Sequence, residues 1–111
     1  MHELAITESI VEQISERVGN ARVTRVVLEI GAFSGVMPDA LRFCFDLCAE
    51  STALKGAALE IMEIPGLAHC RTCENEIHLD EPFALCRCGS ADLVFLKGRE
   101  LRIKGVELID V

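Results

Sequence analysis

Four of the chain's cysteines form two close pairs in its second half. Cys70 and Cys73 form a C-x-x-C pair, and Cys86 and Cys88 form a C-x-C pair that Gly89 follows. Zinc binds thiolates tetrahedrally, and a C-x-x-C turn brings two sulfurs to one ion. The two pairs together predict one four-thiolate zinc site and make the protein a metalloprotein.

This site is expected to be structural, because four thiolates leave no open coordination position for catalysis. Two other uses of the cysteines stay open. A redox C-x-x-C would leave the second pair unexplained, whereas one iron held by four thiolates makes ligand demands similar to those of zinc. His69 and His78 lie in the same segment, and we expect them to surround the site rather than to bind the metal.

A second possible metal site is the N-terminal sequence Met1-His2-Glu3. The α-amine, the His2 backbone nitrogen and the His2 imidazole can close adjacent chelate rings around one ion. Nitrogen ligands of this kind favour square-planar Ni(II) or Cu(II), and Glu3 could add a carboxylate or a further backbone nitrogen. From position alone a histidine here is usually a solvated terminal residue, although the helix that follows would fix the terminus against the fold.

The periodicity of apolar residues predicts the elements that must position these groups. Apolar residues recur at helical spacing in two segments and alternate or cluster as in strands in three others. The predicted helices cover 3–18 and Pro38 to about Glu50, and the predicted strands cover 22–31, 57–64 and 100–109. Between Leu67 and about Phe95 the periodicity is lost, and a structural metal would supply what burial in that segment cannot.

This order of elements predicts an α+β fold. Two helices packed on one face of a three-stranded sheet is the natural two-layer arrangement, and a zinc-ribbon-like module would be inserted before the last strand. The corresponding domain boundaries are 1–64 with 99–111 for the α/β domain and 65–98 for the zinc-binding module.

Composition excludes several classes of function. The chain has 111 residues and a formal net charge of −7, which argues against nucleic acid because phosphate binding needs an excess of Lys and Arg. It contains no apolar run of membrane-spanning length and no basic segment followed by an apolar stretch, as a signal peptide would have. We therefore expect a cytoplasmic protein that contacts no membrane and forms no disulfides.

The remaining chemically active side chains are interpreted as structural. Cys44 and Cys48 share a face of the second helix among apolar neighbours, where free cysteine packs as a small hydrophobe. Met37 and Met62 are expected to pack rather than to bind metal. No Ser/His/Asp arrangement, Cys-His nucleophile or phosphate-binding glycine loop occurs, so we expect no enzymatic activity of the protein's own.

Several segments, taken together, resemble the HypA/HybF hydrogenase nickel-maturation proteins over essentially the whole chain. The matching segments are Met1-His2-Glu3-Leu4, Leu28-Glu29-Ile30-Gly31, Leu41-Arg42-Phe43 with Phe45, the Cys70-x-x-Cys73 pair and Leu101-x-Ile103-Lys104. One feature departs from the family pattern, which commonly has C-x-x-C in both halves of the zinc site. The shorter Cys86-Arg87-Cys88 puts the loop geometry in doubt, and His69 or His78 would be the fourth ligand if Cys88 were displaced.

The resemblance implies a metallochaperone with two metal sites. Ni(II) would bind transiently through His2, with the Met1 amine and backbone nitrogens and with Glu3 in support, while the four cysteines would hold a structural Zn(II). The protein would pass nickel to the large subunit of a [NiFe]-hydrogenase together with the GTPase HypB, and some relatives also serve urease. A homodimer is compatible with this role. The alternative is a zinc-ribbon interaction module without nickel chemistry.

Overall fold

A computed structural model of the chain describes residues 3–109. Two helices and six strands follow one another along these residues. They are α1 (Glu3–Val18), β1 (Arg22–Gly31), α2 (Pro38–Ala49), β2 (Ala58–Ile64), β3 (Gly66–Cys70), β4 (Glu76–Leu79), β5 (Leu93–Lys97) and β6 (Leu101–Ile109). Neither helix within this part of the chain is both long and apolar enough to cross a membrane.

The first sheet has the strand order β2-β1-β6. Strand β2 runs parallel to β1, as a strand reached through a crossover helix can, and β6 runs antiparallel to β1 on its other side. In this register Leu28 of β1 lies between Ile61 and Ile103. The central strand is therefore also the most deeply buried one.

Both helices cover the same face of this sheet and bury an apolar core against it, which confirms the predicted fold class. The core side chains come from α1, β1, α2 and the loops beside them. The most completely buried ones are Phe45, Leu28, Ile30, Leu41, Leu54, Val23 and Val26. Full burial of a side chain of this size stabilises a fold by about 1.5–3 kcal/mol relative to exposure.

The opposite face of the first sheet is polar. Arg25 forms ion pairs with Glu60 of β2 and Glu107 of β6, and the Arg102 Nε lies 2.6 Å from a carboxylate oxygen of Glu29. The Arg25 pairs are exposed; such pairs contribute little to stability, but they show that this face meets solvent. The unit accordingly has two layers, with helices on one side only.

A second three-stranded sheet, with the order β4-β3-β5, occupies the segment in which the sequence shows no periodicity. Its strands are antiparallel and only four or five residues long, which is too short for an alternating pattern to stand out. Few of its side chains are buried, and they are Ala68, Cys70, Leu79 and Cys86. The inserted module is therefore a small antiparallel sheet with almost no core of its own.

The chain passes twice between the two sheets, and three glycines meet there. A Cβ on Gly31 would overlap the backbone of Gly98, and a Cβ on Gly98 would lie 2.9 Å from the Gly66 Cα. Gly98 also has a φ of +120°, which residues with a side chain rarely adopt. Glycine at these positions allows both connections to run side by side against β1.

Candidate metal centre

The first cysteine pair lies on a tight turn that follows β3. Strand β3 ends at Cys70, where the Cys70 N–H donates to the Asn75 carbonyl at 2.8 Å and the Glu74 N–H donates to the Cys70 carbonyl at 2.9 Å. Glu74 takes a left-handed conformation with φ +64°, which reverses the chain. The turn therefore folds Cys73 back beside Cys70.

The second pair lies on a similar turn despite its shorter spacing. The Gly89 N–H donates to the Cys86 carbonyl at 2.8 Å, and the Cys86 N–H donates to the Ser90 carbonyl at 3.0 Å. Gly89 has a φ of +89°, so the glycine after the C-x-C pair is what makes this turn possible.

Two contacts hold these turns against each other. The Thr72 and Ser90 hydroxyl oxygens are 2.8 Å apart, and the Arg71 N–H donates to the Asp92 carbonyl at 3.0 Å. These backbone and hydroxyl contacts thus join the two turns that carry the cysteine pairs.

All four cysteine sulfurs converge. The Sγ atoms of Cys70 and Cys88 are 3.7 Å apart, those of Cys73 and Cys86 are 3.6 Å apart, and all four lie within 4.8 Å of one another. Ideal tetrahedral zinc, with Zn–S bonds of about 2.3 Å, places its sulfurs roughly 3.8 Å apart. The donor set and its spacing therefore fit one zinc ion, and the C-x-C pair brings both of its sulfurs into the group.

The thiols of this group are electrostatically unequal. The backbone N–H of Cys73 donates to the Cys70 sulfur and lowers the pKa of Cys70 to about 6. The Ser90 N–H acts in the same direction on Cys88, but desolvation and the neighbouring sulfurs outweigh it and raise the pKa of Cys88 to about 11. Cys70 thus forms a thiolate readily, whereas the neighbouring sulfurs oppose formation of a thiolate at Cys88. A divalent cation bound to the sulfurs would remove this opposition.

The two histidines of the module lie outside the sulfur group. The His69 Nε2 is 3.4 Å from a carboxylate oxygen of Glu74, and His78 lies exposed on β4. Within residues 3–109, the four cysteines are the one cluster of three or more potential ligands close enough to share an ion. Neither histidine is needed to complete the site.

At the N-terminus, Met1 and His2 lie outside the described residues. Glu3 is the first residue of α1, and its carboxylate Oε2 accepts a hydrogen bond from the Met37 N–H at 3.1 Å. Its carbonyl oxygen accepts a second one from the Thr7 hydroxyl at 2.6 Å. The start of α1 is therefore attached to the start of α2, a contact that no sequence pattern indicated.

The other sulfur-bearing residues give a mixed result. Cys48 packs against the core of the first unit, as expected, and Cys44 is half-buried beside it. Met37 is 65% exposed, so the expectation that it packs is wrong. It precedes Pro38 at the N-cap of α2, where the side chain projects from the end of the helix instead of its buried face.

Comparison with known proteins identifies the family. The family model described as "Hydrogenase/urease nickel incorporation, metallochaperone, hypA" matches residues 1–108. The chain belongs to the HypA family. Among HypA proteins, a hydrogenase maturation factor HypA from Nostoc punctiforme is 55% identical over 108 residues, covering 97% of this chain and 96% of the relative. The corresponding factor from Geotalea uraniireducens is 45% identical and covers 97% and 99%.

Solved HypA structures share the fold. The solution structure of the Ni metallochaperone HypA from Helicobacter pylori superposes with a TM-score of 0.66 at 23% identity and covers 98% of each chain. A second solution structure of a HypA protein gives a TM-score of 0.64 at 20% identity, over 96% of this chain and 92% of that one. The HypA fold thus accounts for the whole architecture, and the family is one of metallochaperones and hydrogenase maturation factors.

Proposed function

We propose that this HypA-family protein is a nickel metallochaperone with two metal sites of different character. Ni(II) binds as cargo at the N-terminus, through the His2 imidazole, the Met1 amine and backbone nitrogens, with Glu3 in support. Zn(II) is held by Cys70, Cys73, Cys86 and Cys88. The observation that carries this division is the closure of the sulfur group, because four converging thiols leave no position at which a cargo ion could be exchanged.

The same division assigns a role to each sheet. We propose that residues 1–64 and 99–111 form the nickel-binding domain and that residues 65–98 form the zinc-binding module. The separation of the chain into two sheets supports this boundary. When bound, zinc supplies the cross-link that fixes the two cysteine turns, and this chain's own residues provide the rest of the module's shape.

The proposed destination of the nickel is the large subunit of a [NiFe]-hydrogenase, with the GTPase HypB as a working partner in the cytoplasm. Urease, which the family description also names, is a second destination. A net charge of −7 supports the absence of nucleic acid among the partners. Delivery requires that nickel leave, so a site of moderate affinity at a chain terminus suits this role better than a closed cage.

The deciding experiment is metal analysis and calorimetry on untagged protein, with His2→Ala compared to the wild type. We expect one equivalent of zinc in both proteins. Loss of the imidazole should weaken nickel binding by more than the roughly 10–100-fold that loss of an outer-shell partner costs. His78→Ala is the matched control, because His78 is exposed on β4 and outside the sulfur group.

Unchanged nickel affinity in the His2→Ala protein would contradict the proposal. If zinc were then still bound stoichiometrically, the chain would be a zinc-ribbon interaction module without nickel chemistry. Loss of zinc binding instead of nickel binding in the His2→Ala protein would mean that His2 belongs to the zinc site, and its assignment to the nickel site would be wrong.

A further inference from the structure

The loop between β1 and α2, residues 32–37, is attached to the rest of the molecule at both ends. At its first end the Phe33 N–H donates to the Gly98 carbonyl at 2.6 Å and the Ala32 N–H donates to the Ile64 carbonyl at 2.8 Å. Ile64 ends β2 where the first connection between the sheets begins, and Gly98 lies in the second connection. The loop is therefore bonded to both connections at the point where the cysteine module begins and ends.

The Phe33 side chain strengthens this attachment. Its ring lies against Gly66, where a Cβ would overlap it, and it meets the Phe95 ring of β5 edge to face with centroids 6.1 Å apart. The Arg99 guanidinium in turn lies 4.2 Å from the centre of the Phe95 ring. Edge-to-face rings and a cation over a ring are both favourable, so Phe33 fixes the loop to the module by its side chain as well as by its backbone.

At its other end the loop is held by Glu3. Met37 is the N-cap of α2 and makes no side-chain capping bond of its own, and Pro38 follows it in the first turn. A carboxylate near a helix N-terminus is favourable because it satisfies a free N–H and faces the positive end of the helix. Glu3 supplies that carboxylate from α1, through the 3.1 Å bond to the Met37 N–H.

We propose that residues 32–37 act as a strut that fixes the start of α1 relative to the cysteine module, with Glu3 and Phe33 as positioning residues at its two ends. The inference rests on the proposed function, because the start of α1 directly follows the proposed nickel ligands Met1 and His2 in the chain. Glu3 then supports nickel binding by accepting a hydrogen bond from Met37, rather than through a carboxylate–nickel bond. Phe33 contributes from the far end of the loop without touching the ion.

Four substitutions test the strut. Glu3→Gln keeps an oxygen that can accept a hydrogen bond from the Met37 N–H but lacks the negative charge that a carboxylate ligand would offer a metal. Glu3→Ala removes both the hydrogen-bond acceptor and the charge. Phe33→Ala removes the ring that packs against Gly66, and Phe33→Leu keeps an apolar side chain at that position. Phe83→Ala is the matched control, because Phe83 is also an aromatic side chain of a loop but is 92% exposed.

Two readouts are needed on zinc-loaded, untagged protein. Hydrogen exchange at the Met37 amide, followed by ¹⁵N–¹H spectra without nickel, reports the strut alone. Calorimetry with nickel and the d–d absorption bands of the bound ion report the nickel site. Zinc content and retained chemical shifts in β1 show that each variant is folded.

We expect Glu3→Ala to accelerate exchange at Met37 at least tenfold and to weaken nickel binding by roughly 10–100-fold, as for other outer-shell partners. Glu3→Gln should stay within about threefold of the wild type in both measurements and leave the absorption bands in place. Phe33→Ala should weaken nickel binding by about tenfold, with Phe33→Leu between it and the wild type and Phe83→Ala unchanged.

The proposal is overturned if Glu3→Gln is as damaging to nickel binding as Glu3→Ala, because the carboxylate would then be a ligand. It is also overturned if both Phe33 variants match Phe83→Ala. If the wild type binds no nickel, the proposed function fails on its own. The exchange of the Met37 amide in the Glu3 and Phe33 variants still decides whether the strut exists.

Discussion

The sheet that carries the helices and the sheet that carries the cysteines bury very different amounts of apolar surface. The first packs α1 and α2 onto one continuous core that includes Phe45, Leu28 and Leu41. Among the described residues of the second, half of the buried apolar side chains are Cys70 and Cys86, which are also candidate metal ligands. A core of the first kind offsets the conformational entropy of folding by burial, whereas the second needs an ion to do so.

Removal of zinc should produce the largest effect and should separate the two sheets. Apparent binding free energies of structural zinc are about 10–16 kcal/mol at neutral pH, and in small modules this is folding free energy. With a strong chelator, or in Cys70→Ser protein, we expect amide protons of β3 and β5 to lose protection while those of β1 and α2 keep theirs. Hydrogen exchange measured by ¹⁵N–¹H spectra checks this.

Cys44→Ser is the matched control, since Cys44 lies on α2 in the first unit and should leave zinc stoichiometry unchanged. Simultaneous loss of protection in both sheets would show that the first unit also depends on the metal, and that its apolar core does not suffice to keep it folded.

A cavity in the core of the first unit should have the opposite effect: it should destabilise the first unit and leave the cysteine module intact. Phe45 is 2% exposed at the centre of that core, and replacement of a buried Phe by Ala typically costs about 3–5 kcal/mol. We expect Phe45→Ala to lower the free energy of unfolding of the first unit by that amount while zinc remains bound. Denaturant unfolding followed by helical circular dichroism, together with zinc analysis, measures both quantities.

The control for this cavity is on the same helix. Phe43 is 67% exposed, so Phe43→Ala should change the free energy of unfolding by no more than about 0.5 kcal/mol. Equal losses from the two substitutions would mean that burial of Phe45 does not distinguish it from a surface residue.

The same difference between the two sheets explains which elements could be predicted from the sequence alone. The helix predicted for 3–18 and the strand predicted for 22–31 coincide with α1 and β1, because long amphipathic elements repeat their apolar pattern several times. The strands β3, β4 and β5 were not predicted. Their four or five residues contain too few repeats to define a period, and ligand spacing carries the information there instead.

Contacts between residues far apart in the sequence could not be predicted either. The loss of periodicity between Leu67 and about Phe95 indicated where the module lies, but nothing in the sequence showed that Phe33 would lie against Gly66. The bond from the Met37 N–H to Glu3 spans 34 positions and involves a backbone group that every residue carries. Composition and periodicity do not encode such pairs, whereas the convergence of the four cysteines follows from the demands of one ion.

The smallest expected effect concerns Cys48, which packs against the core of the first unit. Burial, then the nearby Glu8 carboxylate and then Cys44 raise the pKa of the Cys48 thiol above its usual value of 9.0. Because this pKa is higher in the folded protein, Cys48 contributes stability below pH 9.0 that is lost as the pH rises through the folded value. In Glu8→Gln protein the thiolate should form at lower pH.

This change can be measured as the alkylation rate of Cys48 against pH in zinc-loaded protein, by mass spectrometry of the modified peptide. The rate profile of Glu8→Gln should lie at lower pH than that of the wild type, since alkylation requires the thiolate. Glu16→Gln, on the same helix but absent from the causes of the shift, should leave the profile in place. An identical profile in both variants would exclude Glu8 as a cause and leave burial and Cys44 to account for the raised pKa. The thiol would then be protected mainly by the same core that distinguishes the first sheet from the second.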